Sequence, residues 1–328
     1  MNNLSAKLSL TLILLLLLST LAMAQAPTAP ASQGFVPPRV LIVVAHPDDE
    51  SCFAATVYEI THNLGGTVDQ LVITNGEGGY RYSLLAESIY GVALTDEAIG
   101  RAALPEIRKR ELLEAGHILG ISNHFFLDER DVRYTQDIDE VLGQHWRKGV
   151  VLPEVQRRIT AGSYDFVFTL FPSPQTHGGH KAATLTALTA VQQMAISKPV
   201  VMGCQTVRTA AAQQPSWQGF QSTEHPFRVL PEVFTTDRTV RFGYKDALDY
   251  QTIVNWEIAA HKSQGLLQRG ISGADREEFV ILESGAASET ARADALFHAL
   301  SEHAAHPKVL PAPTLAAPSI AAPPLEKR

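Results

Sequence analysis

The sequence predicts an α/β fold: a three-layer sandwich with a mainly parallel sheet covered by helices on both faces, and edge strands from the C-terminal part. Strand-like and helix-like segments alternate along most of the 328 residues, the pattern of successive βαβ units. The strand-like segments are continuous branched-apolar runs, as expected of strands buried on both faces. Two histidine clusters, the first with a pair of acids, each come soon after such a run, at the sheet edge where α/β folds keep their ligand sites.

The first strand is read at 39–45, through Val40-Leu41-Ile42-Val43-Val44-Ala45. His46-Pro47-Asp48-Asp49 makes the turn that follows it. Pro47 suits a first helical turn, where its missing N–H has no intrahelical partner to lose. A helix over 50–64 ends at Gly65-Gly66, and a second strand spans 68–74. Residues 78–104 are aromatic- and Gly-containing with weak periodicity, a length between strand and helix that is often a functional lid. A helix at 105–119, a strand at 124–127 and a helix at 150–161 come next. The strand at 165–171 runs into the breakers Pro172 and Pro174. His177-Gly178-Gly179-His180 then lies on a loop that enters a helix over 181–196, followed by a strand at 199–206. Residues 207–238 are polar, with Trp217, Phe220, Phe227 and prolines at 215, 226 and 231. From Thr239 on, edge strands, a helix over 246–267 and a final strand at 278–282 complete the pattern.

The ends read differently. Lys7 precedes the apolar run Leu8 to Leu21, and Ala22-Met23-Ala24 and Ala24-Gln25-Ala26 offer small residues for cleavage. Residues 1–26 are therefore read as a secretory signal peptide; the run is short for a membrane span, so an uncleaved anchor is the lesser reading. This predicts an exported protein, periplasmic or secreted, without a stable span after cleavage. Residues 27–38 read as a flexible lead-in, 39–300 as one domain and 304–328 as a disordered Ala- and Pro-rich tail. Apolar residues make 45% of the chain and charged residues 19%, an ordinary globular balance. A net charge of −7, with no basic run interleaved with aromatics, argues against a nucleic-acid partner. Cys52 and Cys204, the two cysteines of the chain, lack the spacing of a redox or zinc-finger site and read as separately buried thiols.

Three protein ligands and an open position is the form of a catalytic zinc site. His46, Asp49 and His180 are the candidates for one Zn²⁺ per chain; iron, nickel or cobalt suits the same donors. His46 and Asp49 are three apart, which places them on one side of a helical start. Asp48 lies between them and points elsewhere, free to act as general base on an attacking water. His177, one turn from His180, is placed to stabilise an oxyanion or protonate a leaving amine. Each motif alone has a plainer explanation: paired acids at a helix start compensate its dipole, and an H-x-x-H in a Gly-rich loop is often solvated. Two such clusters, each just after a buried strand, are hard to obtain from packing alone.

These residues carry a resemblance. Ala45-His46-Pro47-Asp48-Asp49-Glu50, paired with His177 to His180, resembles the signature of the PIG-L/LmbE-like zinc-dependent N-deacetylases. Thr74-Asn75-Gly76-Glu77-Gly78 is similar to that family's T-x-G-E segment, Arg108 to Leu112 to its R-x-x-E helix, and His261-Lys262-Ser263-Gln264 to a recurrent H-x-S-Q element. The similarity runs from about Val40 to about Leu282. It implies a Rossmann-like fold and hydrolysis of an N-acyl group, usually acetyl on an amino sugar of a small molecule, glycan or glycolipid. By matched position it implies His46, Asp49 and His180 at the zinc, Asp48 as base and His177 as electrostatic partner, with Arg108 and Asp131 reaching the substrate. Gly178-Gly179 departs from the family's usual Pro-Asp, removing a carboxylate that would orient a histidine. A deacylase of a non-sugar amide, such as an antibiotic or thiol conjugate, and a non-catalytic carbohydrate-binding protein are the competing readings. Glu77 is a solvated turn acid or a support of the site loop, and Tyr80, Tyr82 and Tyr90 line a sugar-binding face or pack a lid.

Overall fold

Val40, Ile42 and Val44 point into one apolar cluster and Leu41, Val43 and Ala45 into another. The alternating side chains of one strand thus feed two separate cores. That strand, β1 (Arg39–Val44), is an interior strand of a seven-stranded sheet in a computed structural model that describes residues 36–147, 149–211, 216–265 and 273–304. The expected signal peptide, most of the lead-in and the tail beyond Ala304 lie outside the described residues. The other strands are β2 (Thr67–Thr74), β3 (Asn123–Glu129), β4 (Phe166–Leu170), β5 (Val200–Val207), β6 (Val229–Asp237) and β9 (Arg276–Leu282), in the order β3-β2-β1-β4-β5-β9-β6. β1 pairs in parallel with β2 and β4, β2 with β3 and β4 with β5, while β9 runs antiparallel to both β5 and β6. The mainly parallel α/β sandwich expected from sequence is the fold observed.

Strand order reverses at β1. The chain leaves it toward β2 and β3 on one side, then returns to β4 and β5 on the other. The crevice beyond the carboxyl ends of β1 and β4 is therefore the topological switch point, where open α/β sheets bind ligands.

The helices are α1 (Ala54–Tyr58), α2 (Leu84–Tyr90), α3 (Glu97–Leu119), α4 (Ile138–Glu140), α5 (Val151–Gly162), α6 (Gly178–Gln192), α7 (Tyr250–Ala260) and α8 (Glu289–His303). One core packs residues of α1, α7 and α8 on the sheet; the other packs α5 and α6 on the opposite face. No helix of the described residues is long and apolar enough to cross a membrane.

Several boundaries differ from the sequence reading. The segment expected as a helix over 50–64 is composite: a 3₁₀ turn Asp49–Phe53, α1, and a π turn Glu59–Asn63. α3 starts eight residues before the expected 105, because Asp96 caps it by accepting from the Ile99 N–H and Pro105 is accommodated inside. Much of 78–104 is thus helical. α6 begins at Gly178, so His177 is its N-cap and His180 sits in its first turn, not on a preceding loop. The edge strand β6 comes from 207–238, where no strand was expected, and short strands β7 (Arg241–Phe242) and β8 (Leu248–Asp249) form a separate ribbon. α7 is shorter than 246–267, capped by Asp249 and ended before His261. Cys52 and Cys204 are both free. They are neighbours nonetheless, with the Cys204 thiol 3.5 Å from the Cys52 carbonyl oxygen.

Candidate metal centre and catalytic site

The turn after β1 and the first turn of α6 bring His46, Asp49 and His180 together across 134 residues of sequence. His46 Nδ1 stands 3.0 Å from His180 Nε2 and 3.5 Å from Asp49 Oδ2. Asp49 Oδ1 is 3.1 Å from His180 Nε2. A tetrahedral zinc ion with bonds of about 2.1 Å sets its ligand atoms about 3.4 Å apart, so this triangle has the size of one face of such a site. Asp49 Oδ2 also accepts from the backbone N–H groups of Ala45 and His46, at 3.0 and 2.8 Å, which fixes the carboxylate to the strand end. His180 Nδ1 lies 3.2 Å from Thr176 Oγ1. That contact leaves Nε2 to face the triangle, as an outer partner does for a ligating histidine.

The local charge suits a cation. Burial works to lower the pKa of His46, but Asp49 and Asp131 outweigh it and raise the value to about 9. Burial also works to raise that of Asp49, yet the His180 and His46 imidazoles hold it well below the usual carboxylate range. The carboxylates thus draw positive charge to this position, and two nitrogens with one oxygen form a donor set that zinc accepts. His46, His177 and His180 also bring nitrogens within 4.8 Å of one another. The His177 ring is farther off, its centroid 5.1 Å from His46 and 5.5 Å from His180. The tighter triangle with Asp49, which also supplies a negative charge, is the better fit for a divalent ion.

Asp48 stands outside the triangle. Its backbone sits at φ 140° and ψ −13°, a strained conformation for a residue with a Cβ, of the kind that persists only where surroundings enforce it. The enforcement is visible. The Asp48 N–H donates to Glu50 Oε2 at 3.1 Å, and Arg108 Nη2 meets Asp48 Oδ2 at 3.1 Å. Burial pushes the Asp48 carboxyl up to about 6 against the pull of Arg108.

Arg108 is buried and committed to the site's own loops. It donates to the carbonyl oxygens of Gly76 and Pro47, each at 2.7 Å. The guanidinium lines the cavity, where it was expected to reach a substrate, and it also braces the turn that bears Asp48. Gly76 makes this possible: at φ 68° it exposes its carbonyl, and a Cβ there would run into Arg108 Nη1. Gly76→Ala is therefore expected to displace Arg108 and lower turnover on the order of 10- to 100-fold through misplacement of Asp48, read from kcat with metal content unchanged. Asp131 faces His46 Nε2 at 3.8 Å and lines the cavity.

His177 stacks obliquely against Tyr134, with ring centroids 5.0 Å apart. Its buried Nδ1 has no hydrogen-bond partner among the described residues. Burial, reinforced by His46 and His180, lowers its pKa to about 4. So lowered, it is a neutral imidazole that can donate an N–H to an oxyanion but holds no extra proton for a leaving amine.

Glu77 is a support, not a solvated acid: it is buried and pairs with Arg130 at 2.8 Å and Arg101 at 3.4 Å. Tyr80 packs with Ala86, Leu94, Leu104 and Ile107 in a small separate core and also lines the cavity. Tyr82 lines the cavity too, and the Tyr90 hydroxyl donates to Glu111 at 2.8 Å. Sequence reasoning missed the second row behind Asp48. Glu50 lies 2.7 Å from His261 Nε2, which lies 3.2 Å from Glu257; all three are fully buried. Burial works to lower the pKa of His261, but Glu50 and Glu257 hold it well above its usual range. The signal for Glu50 was its place directly after two functional acids. The cavity above all these groups has a volume of about 630 Å³.

The chain is similar to several solved structures. The A40926 pseudoaglycone deacetylase Dbv21 is 17% identical over 77% of this chain and 100% of its own, with a TM-score of 0.52. A zinc-inhibited form of the teicoplanin deacetylase Orf2 is 17% identical over 75% and 98%, with a TM-score of 0.47. The N,N'-diacetylchitobiose deacetylase of Pyrococcus horikoshii is 17% identical over 75% and 84%, with a TM-score of 0.45. No curated protein matches the chain. Residues 41–191, which carry both histidine clusters, match the family described as PIG-L: GlcNAc-PI de-N-acetylase.

Proposed function

We propose that this protein is an exported zinc-dependent hydrolase that removes an N-acetyl group from an amino-sugar-bearing substrate. One observation carries the reading: a half-buried carboxylate, Asp48, is held beside the His46–Asp49–His180 triangle without belonging to it. A protein that only bound carbohydrate would have no use for such a group.

His46, Asp49 and His180 would hold the ion. Bound there, Zn²⁺ supplies Lewis-acid polarisation and brings the pKa of water near 7. Asp48, ionised above its raised pKa, takes the proton from the attacking water. The same group, once protonated, is placed to return that proton to the departing amine. His177, neutral, offers an N–H to the amide oxygen as negative charge grows there. Asp131 offers a carboxylate to sugar hydroxyls on the cavity wall, and the cavity has room for a sugar ring with its acyl group. The apolar leader at Leu8 to Leu21 supports export.

The test is acetate release from N-acetylglucosamine derivatives by the purified protein, with and without a chelator. Release that stops with chelator and returns with Zn²⁺ supports the reading. Release from non-sugar amides alone would overturn the substrate assignment, and no release by metal-loaded protein would overturn the hydrolase.

A further inference from the structure

The element His261-Lys262-Ser263-Gln264 follows α7, far along the chain from both histidine clusters and beyond residues 41–191. Its side chains nonetheless converge on the back of the catalytic turn. His261 Nε2 lies 2.7 Å from Glu50 Oε1, and Glu50 holds the Asp48 N–H with its other oxygen. Ser263 donates twice to Glu111, from its backbone N–H at 2.9 Å and its hydroxyl at 2.6 Å. Glu111 is one turn after Arg108 on α3, so this bond docks the 261–264 turn against the helix that carries the arginine.

Gln264 closes the arrangement. With its amide oriented so that the oxygen faces donors, it accepts from Arg108 Nε at 2.9 Å and Nη2 at 3.2 Å, and its N–H donates to Asp48 Oδ2 at 3.1 Å. Asp48 Oδ2 therefore receives the guanidinium and the amide together. The residue so held has the strained backbone, φ 140°, and strain of that kind reverts unless its neighbours over-determine it.

We propose that the 261–264 turn is a clamp that fixes the Asp48 carboxylate in its working direction, with Gln264 as the positioning residue. The proposal rests on the deacetylase reading for its effect on rate, and on geometry alone for its effect on Asp48. A general base must stand within hydrogen-bond reach of the proton it takes, and a misplacement of about 1 Å costs on the order of 100-fold in rate. Gln264 donates to the carboxylate through an N–H that carries no charge, so it directs Oδ2, the same oxygen that Arg108 meets. An arginine alone would allow the carboxylate to rotate about that single ion pair.

Gln264→Ala and Gln264→Glu separate orientation from space-filling. The glutamate has the same size but sets a carboxylate where the N–H stood. We expect both variants to lose on the order of 100-fold in kcat, with KM changed less than about threefold, full metal content by elemental analysis, and a crystal structure in which the Asp48 carboxylate has moved by about 1 Å. Wild-type kcat in Gln264→Glu, or Asp48 unmoved in either crystal structure, would overturn the clamp. A wild type without amidase activity, but with Asp48 displaced in both variants, would sink the deacetylase reading and leave the clamp standing.

Discussion

His180→Ala is expected to strip the protein of its metal. The imidazole contributes one corner of the triangle, with Nε2 at 3.0 Å from His46 and 3.1 Å from Asp49. Its removal leaves one nitrogen and one carboxylate, too few for a four-coordinate site that must keep a position open. Elemental analysis of the purified variant should read background zinc, and hydrolysis should fall by 10³-fold or more, on the order of the several kcal/mol a Lewis acid supplies. A second readout is independent of activity. Ligand that binds only the native state stabilises it by about 2.7 kcal/mol at a hundred times its dissociation constant. Added Zn²⁺ should raise the thermal midpoint of the metal-depleted wild type and leave that of His180→Ala unmoved. The side chain is partly exposed at the cavity wall in the first turn of α6, so its loss should not unfold the helix. Full metal occupancy in the variant would refute the ligand set.

The legibility of this site follows from where the information lies. β1 and β4 each announce themselves as apolar runs, and the residues that follow are carried rigidly to the switch point. His46, Asp49, His177 and His180 therefore meet as local patterns alone suggested, once both strands share a parallel sheet. Boundaries were harder where one residue had two readings. Pro105 reads as a helix start, yet α3 passes through it because the Asp96 cap lies upstream. Gly178 reads as loop, yet it opens α6: a Cβ there would lie 2.8 Å from the Asp137 carbonyl oxygen, so the glycine serves close packing. The strand β6 was hidden by Pro231 and an exposed edge, where the alternation of a half-buried strand is interrupted.

The partners of Asp48 were hidden for a different reason. Glu50, Arg108 and Gln264 are separated by up to 214 residues, and no periodicity links a helix interior to a turn after another helix. The H-x-S-Q pattern marked the position without stating what it faces. Arg108 shows what motif transfer leaves out: it lines the cavity as the motif implies, and it also binds Gly76, Pro47 and Asp48, which no motif states. Only the three-dimensional arrangement shows that Arg108 holds the base.

Asp48→Asn should show the complementary result: metal kept, turnover lost. Asparagine has the size and shape of aspartate and can still accept from Arg108 at one oxygen, so the backbone brace and the His46–Asp49–His180 triangle remain. What it lacks is a basic oxygen with which to take a proton. General-base catalysis contributes typically 10²- to 10⁴-fold, and kcat/KM should fall by at least the lower figure while zinc content stays at the wild-type level. The pH dependence gives an internal check. Burial raises the Asp48 pKa to about 6, against Arg108, and a nearby dication favours the ionised form and lowers that value. Activity of the wild type should therefore be lost as pH falls through a limb at or below about 6, since protonation removes the base. Asp48→Asn should show its residual rate without that limb. Should the asparagine variant instead lose its zinc, Asp48 would be a ligand and the base would have to be sought elsewhere in the cavity. Should it keep both zinc and full rate, no carboxylate at this position would be needed for proton transfer.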